Sequence, residues 1–579
     1  MNRMTLLTAG ILMATAWPLS SGCTGPIFRP QSPETSLLGD EGPQITLIGD
    51  VAHPYGLGYM KVESIALATG LAGTGEDPAP SPQRAALLAE MNRREVDQPN
   101  RVLASPDTSL VIVRGFLRPG IQAGDRFDVE VRTISQSDTT SLRNGWLMEN
   151  YMTELAVLGA KIRKGHVMAI SSGDVLVDPS ADAKKTPALA IRGRVLGGGV
   201  ALKSRSMGLV IDTEKQSVRL SQQLGKAINS RFHTYIDGHQ AGIATPKTDE
   251  FIELKIHPRY KDNVGRLMRV LRSLAIKEIP AARQARLMLL ENQLLDPLTT
   301  AVAAVRLEAI GDDQAIEILK KGLLSEDPEI RFYAAEALAY LDVTEAAEPL
   351  GQAARDEPAL RINALAALSA MDDAAAYEAL RDLLDTKSAE TRYGAFRALW
   401  TMSPNDPLVH GEMLGNQFSY HILDVKGPPM IHVTRSHRAE VVLFGKEHAF
   451  QLPLVADAGK YILVNGLSGA QITISRFHVG EPTQQRIVST DVDEVIRAIV
   501  DLGGSYPDVV QLLQQAKESG SLASRFRVDA LPEAGRQFLR STGPKPESED
   551  DQNSTDSSDI AESEPYELAT PQPELFGRK

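Results

Sequence analysis

Three segments repeat one another closely enough to fix the architecture of the middle of this chain. Asp327-Pro-Glu-Ile-Arg-Phe-Tyr-Ala-Ala-Glu-Ala-Leu338, Glu357-Pro-Ala-Leu-Arg-Ile-Asn-Ala-Leu-Ala-Ala-Leu368 and Ser388-Ala-Glu-Thr-Arg-Tyr-Gly-Ala-Phe-Arg-Ala-Leu399 follow one plan. Arg331, Arg361 and Arg392 stand 30 and 31 residues apart, and so do Leu338, Leu368 and Leu399. A period near thirty accommodates two short helices and a turn. Such a unit buries its apolar face only against a neighbour, so the repeat predicts an α-solenoid. Strand signals vanish between 281 and 412, where Ala, Leu, Glu and Arg dominate, and a degenerate fourth unit covers Asp296 to Gly311. The recurring Arg reads as a structural bridge between repeats, with a ligand-binding ladder of arginines as the alternative.

Outside this block the periodicity changes. Leu110–Leu117 and Arg126–Val131 are apolar, β-branched runs punctuated by Pro119-Gly120 and Gly124-Asp125, and both read as strands. Val175–Val177, Ala188–Ile191 and Phe251–Ile256 are shorter strand candidates. Ser81 to Val96 reads as a helix. Leu220, Leu224, Ala227 and Ile228 share one helical face, as do Val264, Leu267, Met268, Leu271 and Leu274. Beyond Pro404 strands return at Pro429–Thr434, Ala439–Phe444, Tyr461–Val464 and Ala470–Ser475. Two helices follow, with stripes at Val492, Val495, Ile496, Ile499, Leu502 and at Val509, Leu512, Leu513, Ala516. The fold class expected is therefore a multi-domain α+β chain with an all-α solenoid set into it, the β-containing parts covering 46–280 and 413–535.

The termini differ from the body. Arg3 precedes an apolar run, Leu6 to Trp17, too short to span a bilayer. Residues 1–22 read as a signal peptide. Ser20-Ser21-Gly22-Cys23 then places small residues before the single thiol of the chain. Cys23 is the expected lipidation site; a plain secretory signal with an incidental cysteine is the other reading. A lipid chain there anchors the protein without a transmembrane helix, and Thr24 rather than Asp favours the outer membrane. Residues 23–45 are rich in Pro, Ser and Gly and read as a tether. Residues 541–579 are rich in Ser, Asp, Glu and Pro and are expected to be disordered. The net charge is −13 with no dense Lys/Arg tract, which argues against nucleic-acid binding.

No chemistry stands out. The eleven histidines are scattered, and the spacing of His233 and His239 does not suit a helical metal pair. His432 and His437 flank strand ends and read as surface residues. Gly70-Leu-Ala-Gly-Thr-Gly75 lacks the Lys-Ser/Thr that a phosphate loop requires and reads as a turn, and Gly197–Gly199 reads likewise. No nucleophile elbow or carboxylate pair is evident. The expectation is no catalytic residue, no metal site and no cofactor.

A family resemblance rests on several motifs in order. Tyr55 to Glu76, ending Ala68-Thr-Gly-Leu-Ala-Gly-Thr-Gly-Glu76, resembles the Gly-rich opening of the flagellar P-ring protein family. Val111 to Val131 resembles that family's paired strands about a "PPGxxxGDxxDVxV" core. Ser141–Met148, Ala169–Val177 and the helical and strand segments up to Ile276 also have counterparts. Asp493 to Leu522 resembles its last two helices. The central units look like short HEAT repeats. The resemblance implies a structural, non-enzymatic subunit in the periplasm. There it would form a homo-oligomeric ring, a bushing around the flagellar rod, touching rod and L-ring proteins and peptidoglycan. The alternative is a non-flagellar envelope lipoprotein that binds a protein partner through its HEAT surface.

Overall fold

The computed structural model describes residues 45–158, 161–179, 181, 186–236, 239–478, 480, 482–536, 538 and 571–575. The expected signal peptide 1–22, Cys23 and nearly all of the expected tether 23–45 lie outside these residues, as does most of 541–579.

The first β unit is a seven-stranded antiparallel sheet that closes on itself. Its order is Arg126–Thr133, Ser109–Leu117, Met60–Thr69, Trp146–Leu158, Lys161–Asp174, Arg192–Ala201 and Leu176–Val177. Arg126–Thr133 also pairs with Arg192–Ala201, which completes a barrel. Closure removes the free edges that an open sheet would leave. Val62, Val111, Val113, Val129, Val131 and Met152 fill one apolar core. Helices α1 (Pro82–Arg93) and α2 (Pro99–Leu103) close one flank, with Leu87, Met91 and Leu103 buried. Residues Pro187–Ala190 form a single helical turn, α3, where a short strand was expected. Pro187 cannot donate to a ladder and its fixed φ suits a first helical turn.

A second unit is a four-stranded antiparallel sheet in the order Ala52–Tyr55, Met207–Ile211, Phe251–Leu254, Ala244–Pro246. It carries α4 (Val218–Arg231) and α5 (Val264–Arg272). Asn263 caps α5 by accepting the Arg266 N–H (3.0 Å). The expected stripe is in place, with Leu267, Met268 and Leu271 buried.

The helical block runs through α6 (Pro280–Leu294), α7 (Thr300–Ile310), α8 (Asp313–Leu323), α9 (Pro328–Tyr340), α10 (Ala347–Asp356), α11 (Arg361–Ser369), α12 (Ala374–Leu383) and α13 (Ala389–Met402). Helices α8, α10 and α12 pack on α9, α11 and α13 respectively, while α7, α9, α11 and α13 stack in succession. Gly311 ends α7 at φ +60, a left-handed position that favours glycine. The recurring Arg donates to backbone carbonyls at or just past the end of the preceding helix: Arg331 to Ser325 O and Glu326 O in the loop after α8, Arg361 to Ala354 O in the last turn of α10, and Arg392 to Leu384 O at the end of α12. At the ends of α10 and α12 the helix dipole favours the cation. Arg361 also reaches the next repeat at Glu390 (2.8 Å), and Arg392 reaches Pro428 O beyond the repeats (2.6 Å).

A mixed five-stranded sheet follows, in the order Gly411–Leu414, Phe418–Leu423, Glu440–Phe444, Met430–Val433, Arg525–Val528. An antiparallel meander of Leu454–Ala458, Ile462–Gly466, Gln471–Arg476 and Gln484–Ser489 packs with α14 (Val492–Asp501) and α15 (Tyr506–Glu518) into a shared core. Tyr506 fastens α15 to the mixed sheet by donating to Thr434 O (2.6 Å). Among the described residues, no helix is long and apolar enough to cross a membrane. Pro571–Leu575 is placed, and Leu575 is buried, so the expectation of disorder throughout 541–579 does not hold for these five residues. Their two prolines and one leucine supply the apolar surface that docks, each of the three being buried.

Candidate functional site

The junctions that join the helical repeats to the β units hold the chain's most unusual chemistry, because each is built on ions taken fully out of water. At the first, Arg266 of α5 is 1% exposed. Its Nε and Nη2 donate to Glu308 Oε2 of α7 (3.0 and 2.5 Å), and its Nη1 pairs with Glu336 of α9 (2.5 Å). Tyr260 donates to the other Glu308 oxygen (2.5 Å). Tyr260 and Tyr340 stack at 4.7 Å, and the guanidinium lies 4.8 Å from the Tyr340 ring. Burial works against the Arg266 charge, but Glu308 and then Glu336 outweigh it and hold the guanidinium protonated. Burial first, with the Glu336 charge adding to it, pushes the Glu308 carboxyl up despite Arg266. One cation therefore ties three helices from two units, with two tyrosines excluding water around it.

The second junction centres on Glu440, which is fully buried on the strand Glu440–Phe444. Arg397 of α13 donates to Oε1 (3.1 Å) and Tyr393 of α13 to Oε2 (2.7 Å). His421 Nε2 and Arg438 lie at 3.8 and 4.0 Å. Trp400 sits between the two guanidinium groups, 4.4 Å from Arg397 and 5.1 Å from Arg438. Burial would raise the Glu440 carboxyl, but Arg397, Arg438 and His421 together bring it below its ordinary value. Arg438 is itself lowered to about 10 by burial and by Arg397.

His432 lies against this cluster and is fully buried, which corrects the expectation of a surface residue. Its ring stacks on Tyr393 at 3.8 Å, and its Nε2 accepts the Ala530 N–H (3.0 Å). Burial lowers its pKa to about 3, so it is neutral, as an accepting nitrogen requires. Sequence position alone suggested a strand end; the strand Arg525–Val528 and helix α13 cover it from both sides. His437 is exposed, and its backbone N–H donates to Asp128 of the barrel.

The front and back β parts also touch. Arg435 pairs with Asp178 (2.5 Å), and Leu176 and Leu196 of the barrel pack into the apolar core of the C-terminal part. Glu440 faces α13. Residues 403–416 lead straight into the strand Gly411–Leu414, and from the 257–263 run Lys261 Nζ donates to Thr401 O at the end of α13 (3.2 Å). Beside that run lies a cavity of about 330 Å³ lined by His257, Arg259, Asn263, Tyr340, Asp372 and Met402 among others.

Among the described residues no group of three or more His, Cys, Asp or Glu is placed to hold a metal ion. His233 and His239 stand on paired strands, with Ile236 opposite His239 and His233 opposite Gly242. Sequence reasoning missed both ionic junctions. The available signal was a charge inside an apolar context: Glu440 in Ala439-Glu-Val-Val-Leu-Phe444, and Glu308 and Glu336 within Ala- and Leu-rich helices.

Comparison with known proteins agrees with this division. The family model for the flagellar P-ring protein matches residues 48–292, and that for HEAT repeats matches 316–400. The first match covers the barrel, the four-stranded sheet with α4 and α5, and α6. The chain is 24% identical to the flagellar P-ring protein of Caulobacter vibrioides over 192 residues, 32% of this chain and 50% of that protein. It is 30% identical to the flagellar P-ring protein of Aquifex aeolicus over 163 residues, 27% of this chain and 42% of that protein. It thus spans about half or less of the length of these curated relatives. Over residues 48–292 the chain is similar to the flagellar P-ring proteins, and residues 316–400 match the HEAT-repeat model.

Proposed function

We propose that this protein is a structural, non-enzymatic ring subunit of the bacterial envelope, of the P-ring type. The observation that carries the reading is the P-ring match over the whole barrel and its neighbouring sheet. In this reading the copies close head to tail around the flagellar rod as a bushing, since one subunit type encircles a rod only by heterologous contacts that close. Rod and L-ring proteins and peptidoglycan are its neighbours, and the periplasm is its compartment. Lipidated Cys23 anchors it to the outer membrane. The exposed apolar side chains of Trp146, Met148, Tyr151 and Val167 support an assembling surface, because they gather on the long hairpin Trp146–Leu158/Lys161–Asp174.

The HEAT block in this reading is an insertion into one P-ring-like fold spanning 46–280 and 413–535. The Arg435–Asp178 pair and the shared core at Leu176 support it. The repeats are not a detachable arm. They provide Glu308, Glu336, Arg397 and Tyr393, the hydrogen-bonded partners of Arg266 and Glu440, and share one apolar core with the second β unit.

The test is isolation of the full-length protein from its native envelope in mild detergent, followed by imaging and mass spectrometry. Closed rings, and an acylated Cys23 as the first residue, are expected. Trp146→Glu with Tyr151→Glu should leave monomers. A protein that is monomeric at all concentrations, and absent from isolated basal bodies, overturns the ring reading; a mature N-terminus elsewhere overturns the lipid anchor.

A further inference from the structure

The last described segment, Pro571-Gln-Pro-Glu-Leu575, lies in a cleft assembled from distant parts of the chain. Tyr59, Arg118 and Gly120 of the barrel unit and Ile256, Asp262 and Val264 of the following unit line it together with Pro571, Gln572 and Glu574. The Glu574 N–H donates to Asp262 O (2.8 Å), and the Glu574 carboxylate stands 3.8 Å from His437 Nδ1. Burial alternates along the segment: Pro571, Pro573 and Leu575 are buried, while Gln572 and Glu574 keep contact with solvent. Leu575 is 2% exposed and joins the core that also holds α5 and the repeats. This is the pattern of a linear peptide docked through alternate side chains and one main-chain hydrogen bond. Its two prolines fix φ before docking, so less backbone freedom is lost.

We infer that residues 571–575 are a docking motif, that the cleft is its receptor, and that neighbouring copies of this chain exchange the motif within an assembly. About thirty residues, rich in Ser, Asp and Glu, separate Phe538 from Pro571. A stretch of that length spans at most about 100 Å. A compact chain of this size has a radius of gyration of about 25 Å, so a touching copy's cleft lies on the order of 60 Å away, within reach. Exchange replaces each contact with an identical one and adds no new interface, which is why swapping a terminal segment is a low-cost route to linked subunits. Once two copies touch, the neighbour's cleft faces the motif at a high effective concentration. The motif then fastens ring neighbours without rigid packing. This inference rests on the ring reading for its partner, a second copy of the chain.

The experiment places a photo-crosslinking amino acid at Gln572 of the full-length protein. That form is mixed with an isotope-labelled full-length copy, and assembly size is measured alongside the crosslinks. In dilute monomer, crosslinks to 118–120 and 256–264 of the same chain are expected. In the assembly, a large share should fall on the labelled copy at the same residues. Leu575→Asp should cut cleft crosslinks about tenfold or more, as expected for charging a buried leucine. If assemblies form and every cleft crosslink stays within one chain, exchange is overturned and the ring reading stands. If no assembly forms, the ring reading falls and exchange with it. Crosslinks that avoid the cleft altogether overturn the docking motif itself.

Discussion

Replacing Glu440 with Gln keeps the shape of the second junction and removes its central carboxylate. Arg397 (3.1 Å) then loses the carboxylate it donates to in a site where Glu440 is fully buried, while Arg438 (4.0 Å) keeps the charge of Asp128. Breaking a buried ion pair from one side costs about 3–5 kcal/mol, because the remaining charge stays desolvated. Tyr393→Phe removes one charge-assisted hydrogen bond, worth about 1.5–3 kcal/mol, and leaves the charges balanced. The expected ranking is therefore Glu440→Gln above Tyr393→Phe. Adding Arg397→Met to Glu440→Gln removes the cation that lost its carboxylate, so the double variant should be less destabilised than the sum of the singles by at least about 2 kcal/mol. Trp400 lies between the two guanidinium groups and reports the site. Urea unfolding followed by its fluorescence, with Trp17 and Trp146 both replaced by Phe, measures each variant. A loss below about 1 kcal/mol for Glu440→Gln, or additive singles, would refute the account of a mutually compensated cluster.

Arg266→Met should destabilise by about 3–5 kcal/mol, since it leaves Glu308 and Glu336 buried together. Arg331→Met loses only bonds to the carbonyls of Ser325 and Glu326 and should cost about 1 kcal/mol; equal losses in urea unfolding would contradict the distinction. His432 is neutral in the fold with a pKa of about 3, against about 6.5 when unfolded, so its contribution is complete above pH 6.5 and is lost as pH falls toward 3. Between pH 7 and pH 5 that loss is about 2 kcal/mol, and His432→Gln should flatten the stability profile by that amount; parallel profiles for the two proteins would refute it. Deleting 281–412 with a short linker should abolish cooperative folding, because Arg266 and Glu440 lose their partners; a thermal melt as sharp as that of the full chain would show the repeats to be dispensable.

What the sequence by itself determined is local or repetitive. The repeat phase around Arg331, Arg361 and Arg392 was legible because each unit repeats its own helix and turn signals. The stripe on α5 was legible because its residues recur at helical spacing within a few turns. The P-ring resemblance likewise rests on short motifs in order. Tertiary structure alone decided what those pieces meet. Arg266 finds Glu308 and Glu336, and Glu440 finds Tyr393 and Arg397, across 40 to 70 residues, with no periodicity to mark the pairing. The recurring arginines show the same division. Their spacing marked them as structural, but only the packing showed that each one donates to carbonyls at or just past the end of its repeat's first helix. His432 was misplaced for the same reason: strand position sets the face a side chain takes, while burial depends on which distant helix covers that face, here α13 through Tyr393. Pattern along a chain encodes faces and boundaries, and the energy of a buried charge is set by partners that only folding brings within 3 to 4 Å.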